Sequence, residues 1–314
     1  MKKILFMGTP EISMISLKRL IDDGHNIVAV ITGEDKPRGR GNVMTPTPCK
    51  SLAMEKGIPV YTPKTLRDDD FATLLSEIDP DLIVVVAYGK ILPRSVLDYP
   101  KYGCINLHVS LLPKYRGAAP MQRAIMCGEK ETGVTIMHMA DGVDTGDIIT
   151  VEKFPISDTD DFEAIHDRSA LVGSALLSKT IPEIFEGRAE RIPQDDSLAT
   201  HAAKIEKADC KLDFTKSAKN LDFQIRGTTP IPGAFAYLNG KMLKINRARP
   251  IEGKGNAGEV ISLNSQGEGE IVIACGEGAL SVTHVIPEGK GKMTAGDFIR
   301  GRKISLGDIL TYEP

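Results

Sequence analysis

The sequence contains no tryptophan and no two cysteines close together. Its five cysteines stand at positions 49, 104, 127, 210 and 275, so no Cys-x-x-Cys segment exists. This spacing argues against zinc ribbons and dithiol redox pairs, and an odd number of cysteines provides no disulfide framework. We therefore expect reduced and mostly buried thiols.

Long apolar runs are also absent. The longest, Leu82–Ala87, is far shorter than the roughly 20 residues that a transmembrane helix needs. The apolar stretch after Met1-Lys2-Lys3 ends at Gly8-Thr9-Pro10, before the hydrophobic region of a signal peptide can form. We therefore expect no membrane association and a cytoplasmic location.

Two glycine-containing segments lack the patterns of nucleotide-binding loops. Gly8-Thr9-Pro10 follows an apolar strand pattern but is not part of a Gly-x-Gly-x-x-Gly sequence. Arg38-Gly39-Arg40-Gly41 is not followed by the Gly-Lys-Ser/Thr of a P-loop. Neither type of nucleotide site is supported. Gly8 is instead predicted to form a tight turn from strand to helix.

The first half of the chain alternates strand and helix patterns. Apolar runs predict strands at Lys3–Met7, Ile27–Ile31, Leu82–Ala87, Gly103–Leu107 and Val134–Met139. A longer helical pattern covers residues 160–187, with Pro182 expected to bend it near its end. This alternation predicts an α/β fold with a Rossmann-like, doubly wound, mostly parallel sheet.

The second half changes to short strands separated by glycine-rich turns. Strands are predicted at Ala234–Leu238, Met242–Arg247, Gly258–Ser262, Glu270–Ala274 and Leu280–Val285. Such a series is typical of a small OB-like β-barrel. We therefore predict a catalytic domain at residues 1–187, a linker at 188–207 and a C-terminal domain at 208–314.

Charge is distributed unevenly between the two halves. The net charge is −3, but the segment 207–254 carries ten basic and four acidic residues. Such a cluster is most often a solvated surface, although it also suits a polyanionic partner. A long connection at residues 33–49, rich in glycine, proline and arginine, is a further candidate functional segment.

Asn106 and His108 form the most informative pair in the sequence. Side chains two residues apart on a strand share one face, so an amide donor and an imidazole can line one pocket. The pair is predicted at the carboxyl end of a parallel strand, where ligands bind in open α/β sheets. Asp144, in a turn between two strands, could orient the imidazole. This combination suits acyl transfer, with a donor for an oxyanion and a group that shuttles a proton.

The blocks around this pair resemble the formyltransferase family that uses 10-formyltetrahydrofolate. They are Val86-Ala-Tyr-Gly89, Ser110-Leu-Leu-Pro113, Arg116-Gly-Ala-Ala-Pro120-Met-Gln122 and Gly142-Val-Asp-Thr-Gly-Asp147. The resemblance covers both domains and includes the 33–49 segment, and it is strongest to those members that formylate methionyl initiator tRNA. Val109, Phe214 and Ile231 depart from the usual pattern, in which the last two positions hold tryptophan.

The resemblance implies a role for each set of residues. Asn106, His108 and Asp144 would be catalytic, with the first two stabilising the oxyanion and His108 passing a proton to the leaving N10 atom. No metal is implied, and a monomer is expected. The folate co-substrate would contact Val86, Ala87, Tyr88, Gly89, Ser110, Leu111, Leu112, Pro113, Ala140, Asp141 and Gly142. The tRNA would contact Arg38, Arg40, Lys207, Lys211, Lys241, Lys244 and Arg247.

Three other interpretations remain open at this point. A related formyltransferase could act on a sugar-nucleotide amine or on glycinamide ribonucleotide, since these relatives share the same catalytic residues. A hydrolase of 10-formyltetrahydrofolate could use the same triad without an acceptor. A non-catalytic nucleic-acid-binding protein is the third alternative, but it leaves His108 and Asp144 without a role.

Overall fold

The computed structural model describes residues 1–38 and 41–314, which divide into two compact units. The first unit comprises residues 1–117, 132–154 and 166–201, and the second comprises 118–131, 155–165 and 202–314. Each unit is therefore assembled from separate stretches of chain. The domain boundaries predicted from the sequence, at residues 187 and 208, stay a prediction.

Strands and helices alternate through the first part of the chain, as the sequence predicts. In the described part of the chain, the helices are α1 Glu11–Asp22, α2 Pro48–Glu55, α3 Asp69–Ile78, α4 Arg94–Leu97, α5 Pro120–Met126, α6 Phe162–Phe185, α7 Ala218–Thr228 and α8 Ala295–Arg300. Within the described residues, none of them has the length and apolar character needed to span a membrane. The strands up to residue 202 are β1 Ile4–Gly8, β2 Ile27–Ile31, β3 Lys36–Arg38, β4 Val43–Thr45, β5 Val60–Tyr61, β6 Leu82–Val86, β7 Cys104–His108, β8 Arg116–Gly117, β9 Glu131–His138, β10 Ile148–Pro155 and β11 His201–Ala202.

A seven-stranded sheet in the order β10-β9-β7-β6-β1-β2-β5 forms the centre of the first unit. The pairs β1–β2, β1–β6, β2–β5 and β6–β7 are parallel, whereas β7 and β9 are antiparallel. All five residues of β1 and of β6 are buried, as expected for strands covered on both faces. The predicted Rossmann-like, mostly parallel sheet is confirmed.

Gly8 ends β1 at a point where no larger residue fits. A Cβ at this position would lie 2.6 Å from Ser13 Cβ and 2.9 Å from the Val86 carbonyl oxygen. The chain can therefore leave the sheet and enter α1 within a few residues. This is the tight strand-to-helix turn that the sequence predicts.

The 33–49 segment contains a hairpin that the sequence pattern did not reveal. Strands β3 and β4 pair antiparallel, with Lys36 opposite Thr45. Helix α2 then begins at Pro48, and the Thr47 side chain caps it by accepting a hydrogen bond from the Lys50 backbone N–H. Strands of three residues are too short for an alternating pattern to be recognised in the sequence.

The long helix α6 continues through Pro182 to Phe185. It packs closely on the sheet at Gly173, where a Cβ would come within 2.9 Å of Leu107 Cδ1. Glycine at this position therefore lets the helix approach the strand that carries Asn106 and His108.

The second unit is built around a curved antiparallel sheet. Its strands are β12 Phe235–Leu238, β13 Lys241–Ile251, β14 Val260–Asn264, β15 Glu270–Ala274, β16 Ala279–Pro287, β17 Met293–Thr294 and β18 Leu310–Thr311. They follow the order β14-β15-β16-β13-β12-β18, with β17 beside β16. Backbone hydrogen bonds from Val260 N–H to the Asp308 carbonyl and from Leu310 N–H to the Gly258 carbonyl join the two edges. The predicted OB-like barrel is confirmed, and Phe214 lies in its core.

A buried ion pair holds the separate stretches of the second unit together. Arg226 on α7 donates from Nε to Asp222 Oδ2 at 2.9 Å and from Nη1 to the Asp160 carbonyl oxygen at 2.7 Å. Burial raises the pKa of Asp222 above the ordinary value of an aspartate, although the Arg226 guanidinium opposes that rise. The Asp222 carboxyl therefore needs the Arg226 guanidinium beside it to favour the ionised form.

Replacing Arg226 by methionine should destabilise the protein by about 3–5 kcal/mol, because it leaves a buried carboxylate unpaired. Folding raises the pKa of Asp222, so the folded protein keeps the proton on this carboxyl to higher pH than the unfolded chain does. The stabilising contribution of the bound proton to the free energy of unfolding is therefore lost as pH rises. The penalty of Arg226→Met should therefore be smaller near pH 5 than near pH 8. Urea unfolding at both pH values measures it.

The matched control is Arg249→Met, since Arg249 is exposed and forms an ion pair with the partly exposed Glu270. Its cost should stay below about 1 kcal/mol at either pH. Equal penalties for the two arginine variants would contradict the assigned role of Arg226.

Candidate active site

Strand β7 brings Asn106 and His108 to the carboxyl end of the sheet. It runs beside β6 with Asn106 opposite Val85, and beside β9 with His108 opposite Thr135. The two side chains share one face because they are two residues apart, while Leu107 between them points towards α6. Among residues 1–38 and 41–314, the half-buried Asn106 amide has no hydrogen-bond partner, so it can serve a ligand.

His108 is almost fully buried, and both of its ring nitrogens face oxygen atoms. Nε2 lies 3.0 Å from the Tyr115 carbonyl oxygen, and Nδ1 lies 3.5 Å from Asp144 Oδ2. A carbonyl and a carboxylate only accept hydrogen bonds, so both contacts are favourable when both nitrogens carry hydrogen. The ring therefore has one hydrogen-bond acceptor beside each nitrogen.

Asp144 is held in a turn between β9 and β10. Its φ of 55° lies in the left-handed region, which is uncommon for residues other than glycine, although aspartate enters it more readily than most. Asp144 Oδ2 accepts a hydrogen bond of 2.9 Å from the Gly117 backbone N–H, and the same oxygen faces His108. The carboxylate is therefore fixed by the backbone beside the imidazole that it can orient.

Gln194 also contacts this turn, although no pattern in the sequence distinguishes it. Its Nε2 donates to the carbonyl oxygens of Asp144 at 2.9 Å and Gly146 at 2.7 Å. Its Oε1 accepts from Arg116 Nε and Nη2. A glutamine in a polar segment has no spacing signature, so only the fold could reveal this contact.

The predicted folate segment Val86–Gly89 begins at the last residue of β6. Ala87 and Gly89 are exposed and have φ values of 44° and 83°. Tyr88 is 5% exposed, and burial raises its pKa to about 12, so it remains a neutral phenol. Within the described residues its buried hydroxyl has no hydrogen-bond partner. This hydroxyl could serve a ligand.

The second predicted folate segment, Ser110–Pro113, is hydrogen-bonded to the sheet. Thr135 Oγ1 donates to the Ser110 carbonyl oxygen at 2.7 Å, and Ser110 Oγ donates to the Lys114 carbonyl oxygen at 2.8 Å. Ser110 and Leu112 are buried, whereas Leu111 and Pro113 are partly exposed. The side chains of Ser110 and Leu112 therefore support the loop, and the other two remain open to a ligand.

The third predicted segment, Ala140–Gly142, belongs to the same turn as Asp144. Asp141 Oδ2 accepts a hydrogen bond of 2.8 Å from Arg94 Nη1, which connects this turn to the start of α4. Gly142 has a φ of 106°, and a Cβ there would lie 2.9 Å from Thr145 Oγ1. The first predicted folate segment thus begins at the end of β6, the second follows β7, and the third follows β9 in the turn that carries Asp144.

Three of the predicted tRNA-binding lysines lie close to one another. Lys207 Nζ is 5.8 Å from the centre of the Phe235 ring, and both Lys211 and Lys244 pair with Phe235 through the backbone. Lys211 also forms an ion pair of 2.6 Å with Glu313, which partly neutralises its charge. These three lysines form one basic patch in the second unit.

The remaining predicted tRNA-binding residues are Lys241, Arg247, Arg38 and Arg40. Lys241 lies at the start of β13, and Arg247 pairs with His284 on β16. Arg38 is the last residue of β3, and Arg40 lies outside the described residues. In the described part of the chain, no group of three or more His, Cys, Asp or Glu side chains is arranged to hold a metal ion.

Comparison with known proteins identifies the family. The model of the formyl transferase family matches residues 2–181, and that of the formyl transferase C-terminal domain matches residues 204–303. The chain belongs to the formyl transferase family. Among its curated relatives, the methionyl-tRNA formyltransferase of Geotalea uraniireducens is 44% identical over 98% of this chain and 97% of its own length. That of Halalkalibacterium halodurans is 47% identical over 98% of both proteins.

Solved structures share the fold of this formyl transferase. WlaRD, a sugar 3N-formyl transferase studied in the presence of dTDP and 5-N-formyl-THF, gives a TM-score of 0.67 at 21% identity over 93% of this chain and 99% of its own. HypX from Aquifex aeolicus, in complex with tetrahydrofolic acid, gives 0.65 at 20% identity over 99% of this chain and 50% of its own. At these identities the likeness concerns the fold alone.

A second histidine lies beside the Asp144 turn of the formyl transferase. His138 ends β9 and is 8% exposed, with Nδ1 at 3.5 Å from Arg191 Nη2. Burial, together with the positive charge of Arg191, lowers the pKa of His138 from 6.5 to about 4. His138 is therefore neutral at physiological pH and can accept a hydrogen bond from Arg191.

We expect the ring signals of His138 not to titrate between about pH 5 and pH 8 in NMR spectra of the formyl transferase. Because its pKa is lowered on folding, its contribution to stability is present above pH 6.5 and is lost as pH falls towards about 4. His138→Gln should remove this part of the pH dependence of unfolding. Titration of the His138 ring near pH 6.5 would contradict the assignment.

Proposed function

We propose that this formyl transferase moves the formyl group of 10-formyltetrahydrofolate to the α-amino group of methionine on charged initiator tRNA. The observation that carries the formyl-transfer chemistry is the single face of β7 that holds Asn106 and His108, with Asp144 Oδ2 at 3.5 Å from the imidazole. The product is N-formylmethionyl-tRNA, the substrate of translation initiation.

Attack of the free amine on the formyl carbon forms a tetrahedral oxyanion. The Asn106 amide, which has no partner in the described part of the chain, donates a hydrogen bond to this oxyanion. The His108 imidazolium adds positive charge beside it. A donor of this kind typically contributes about 2.7–4 kcal/mol to stabilisation of the transition state.

Collapse of the intermediate requires a proton on N10 of the folate. His108 carries hydrogen on both nitrogens in the proposed state, and Asp144 keeps Nδ1 in place. Nε2 lies 3.0 Å from the Tyr115 carbonyl oxygen, so the hydrogen bond between them must break before the Nε2 proton can be transferred to the substrate. His108 then regains a proton as the attacking amine loses one, and the enzyme is unchanged at the end of the cycle.

The two substrates would be bound by different surfaces. The segments Val86–Gly89, Ser110–Pro113 and Ala140–Gly142 would hold the folate, with the Tyr88 hydroxyl as one candidate polar contact. Arg38, Arg40 and the lysine patch formed by Lys207, Lys211 and Lys244, with Lys241 and Arg247, would contact tRNA phosphates. We further infer a monomer that works in the cytoplasm, where charged tRNA is used.

The acceptor is the point on which the related reactions differ. A sugar amine or glycinamide ribonucleotide would need the same Asn106, His108 and Asp144, so these residues do not discriminate. Relatives that are 44% and 47% identical along nearly the whole chain, including the second unit, are methionyl-tRNA formyltransferases. This supports tRNA as the acceptor.

The protein should formylate charged initiator tRNA and leave charged elongator tRNA unmodified. Asn106→Ala should lower kcat about 10²–10³-fold, because one donor to the oxyanion is lost. His108→Ala should lower it by about 10²–10⁴-fold. Acid-gel separation of formylated from unformylated aminoacyl-tRNA measures both.

His201→Ala, which alters an exposed histidine of the same unit, is the matched control and should keep its activity. Near-normal turnover of either active-site variant would refute the mechanism. Release of formate in the absence of tRNA, at the rate of the complete reaction, would instead identify a hydrolase.

Arg40→Ala should raise the KM for charged tRNA more than the KM for the folate, because a phosphate contact is lost. The slope of log affinity against log salt concentration should become shallower by about 1. Arg67→Ala, at an exposed position elsewhere in the first unit, is the control and should change neither. A comparable loss for folate and tRNA would contradict a role for Arg40 in tRNA binding.

A further inference from the structure

We infer that Gln194 and Arg116 are positioning residues that set the distance between Asp144 and His108. This inference rests on the proposed formyl transfer, in which Asp144 orients the imidazole. All the residues concerned belong to the first unit. Gln194 touches neither ring nitrogen of His108 and acts through the turn that carries Asp144.

The Gln194 amide uses its full hydrogen-bonding capacity in this position. Nε2 has two hydrogens and donates to two carbonyl oxygens, those of Asp144 and Gly146. Oε1 has two lone pairs and accepts from Arg116 Nε at 3.0 Å and Nη2 at 2.7 Å. Carbonyls only accept and guanidinium only donates, so the amide can have only this orientation.

Arg116 connects the same amide to the other side of Asp144. Its side chain is 12% exposed, and Nη2 also donates to Asp196 Oδ1. The next residue, Gly117, donates its backbone N–H to Asp144 Oδ2 at 2.9 Å. Gln194 thus holds the Asp144 carbonyl, while the segment anchored by Arg116 holds the Asp144 carboxylate.

The conformation of Asp144 explains why such support is needed. A non-glycine residue with a φ of 55° persists only where its surroundings determine it strongly. Without the two donors of Gln194, the Asp144 and Gly146 carbonyls lose their partners and the turn can relax. Movement of Oδ2 away from Nδ1 would follow, and a shift of about 1 Å can cost about 10²-fold in rate.

Gln194→Glu is the most discriminating substitution, because it keeps the shape of the side chain. The carboxylate can still pair with Arg116, but it has no hydrogen to donate and faces two carbonyl oxygens. We expect kcat for formylation to fall about 10- to 100-fold, with the KM for charged tRNA unchanged. Gln194→Met, which lacks both charge and donor, should have a similar effect. Gln266→Glu, the same change at an exposed turn of the second unit, should have none.

A double-mutant cycle tests whether Gln194 works through Asp144. In the Asp144→Asn background, Gln194→Glu should cause little further loss of kcat, since both changes affect the same contact. Independent, multiplying losses would overturn the inference, as would full activity of Gln194→Glu and Gln194→Met. Thermal unfolding of each variant separates a local effect from loss of the fold.

A spectroscopic measurement distinguishes failure of this inference from failure of the proposed function. In long-range ¹⁵N–¹H spectra, Gln194→Glu should shift the Nδ1 signal of His108, whereas Gln266→Glu should not. If the wild-type protein formylates no tRNA, the proposed function is wrong, and the Nδ1 shift still tests the positioning role. An active wild-type enzyme with an unchanged Nδ1 signal in both Gln194 variants would overturn the inference alone.

Discussion

The contact between Asp144 and His108 is the interaction on which the candidate active site depends. The carboxylate oxygen and Nδ1 are 3.5 Å apart, and both side chains are largely withdrawn from water. In such surroundings a charge is stable only with well-placed partners. Asp144 has a backbone N–H and an imidazole, and His108 has a carbonyl oxygen at its other nitrogen. Each group is therefore held ready for the charge that it carries in the proposed reaction.

Tight backbone geometry makes this contact possible. The turn between β9 and β10 must return within a few residues, and at Gly146 a Cβ would lie 1.8 Å from the His138 carbonyl oxygen. Glycine is the residue that such an approach allows. The same turn carries Asp144 and the predicted folate residues Ala140–Gly142. In the proposed mechanism, its conformation therefore links binding of the folate to the placement of the Asp144 carboxylate.

In the second unit, a buried ion pair joins stretches of chain that are distant in the sequence. Arg226 connects α7 to the stretch that contains Asp160, far away in the sequence, and its charge is balanced by Asp222. By contrast, Lys207 of this unit is exposed and Lys244 is partly exposed. The buried arginine thus serves the fold, and the surface lysines are left for the proposed tRNA contact.

Local patterns in the sequence determined the fold class and the position of the central pair. Apolar runs separated by helical spacing are sufficient to predict a mostly parallel sheet, and the i, i+2 spacing places Asn106 and His108 on one face wherever that strand lies. The family resemblance then added the substrates. The short hairpin β3–β4 escaped prediction, because three-residue strands carry too little periodicity. Only the tertiary structure revealed Gln194, since its four hydrogen bonds join segments that lie far apart in the chain, and spacing along a sequence carries no information about such contacts.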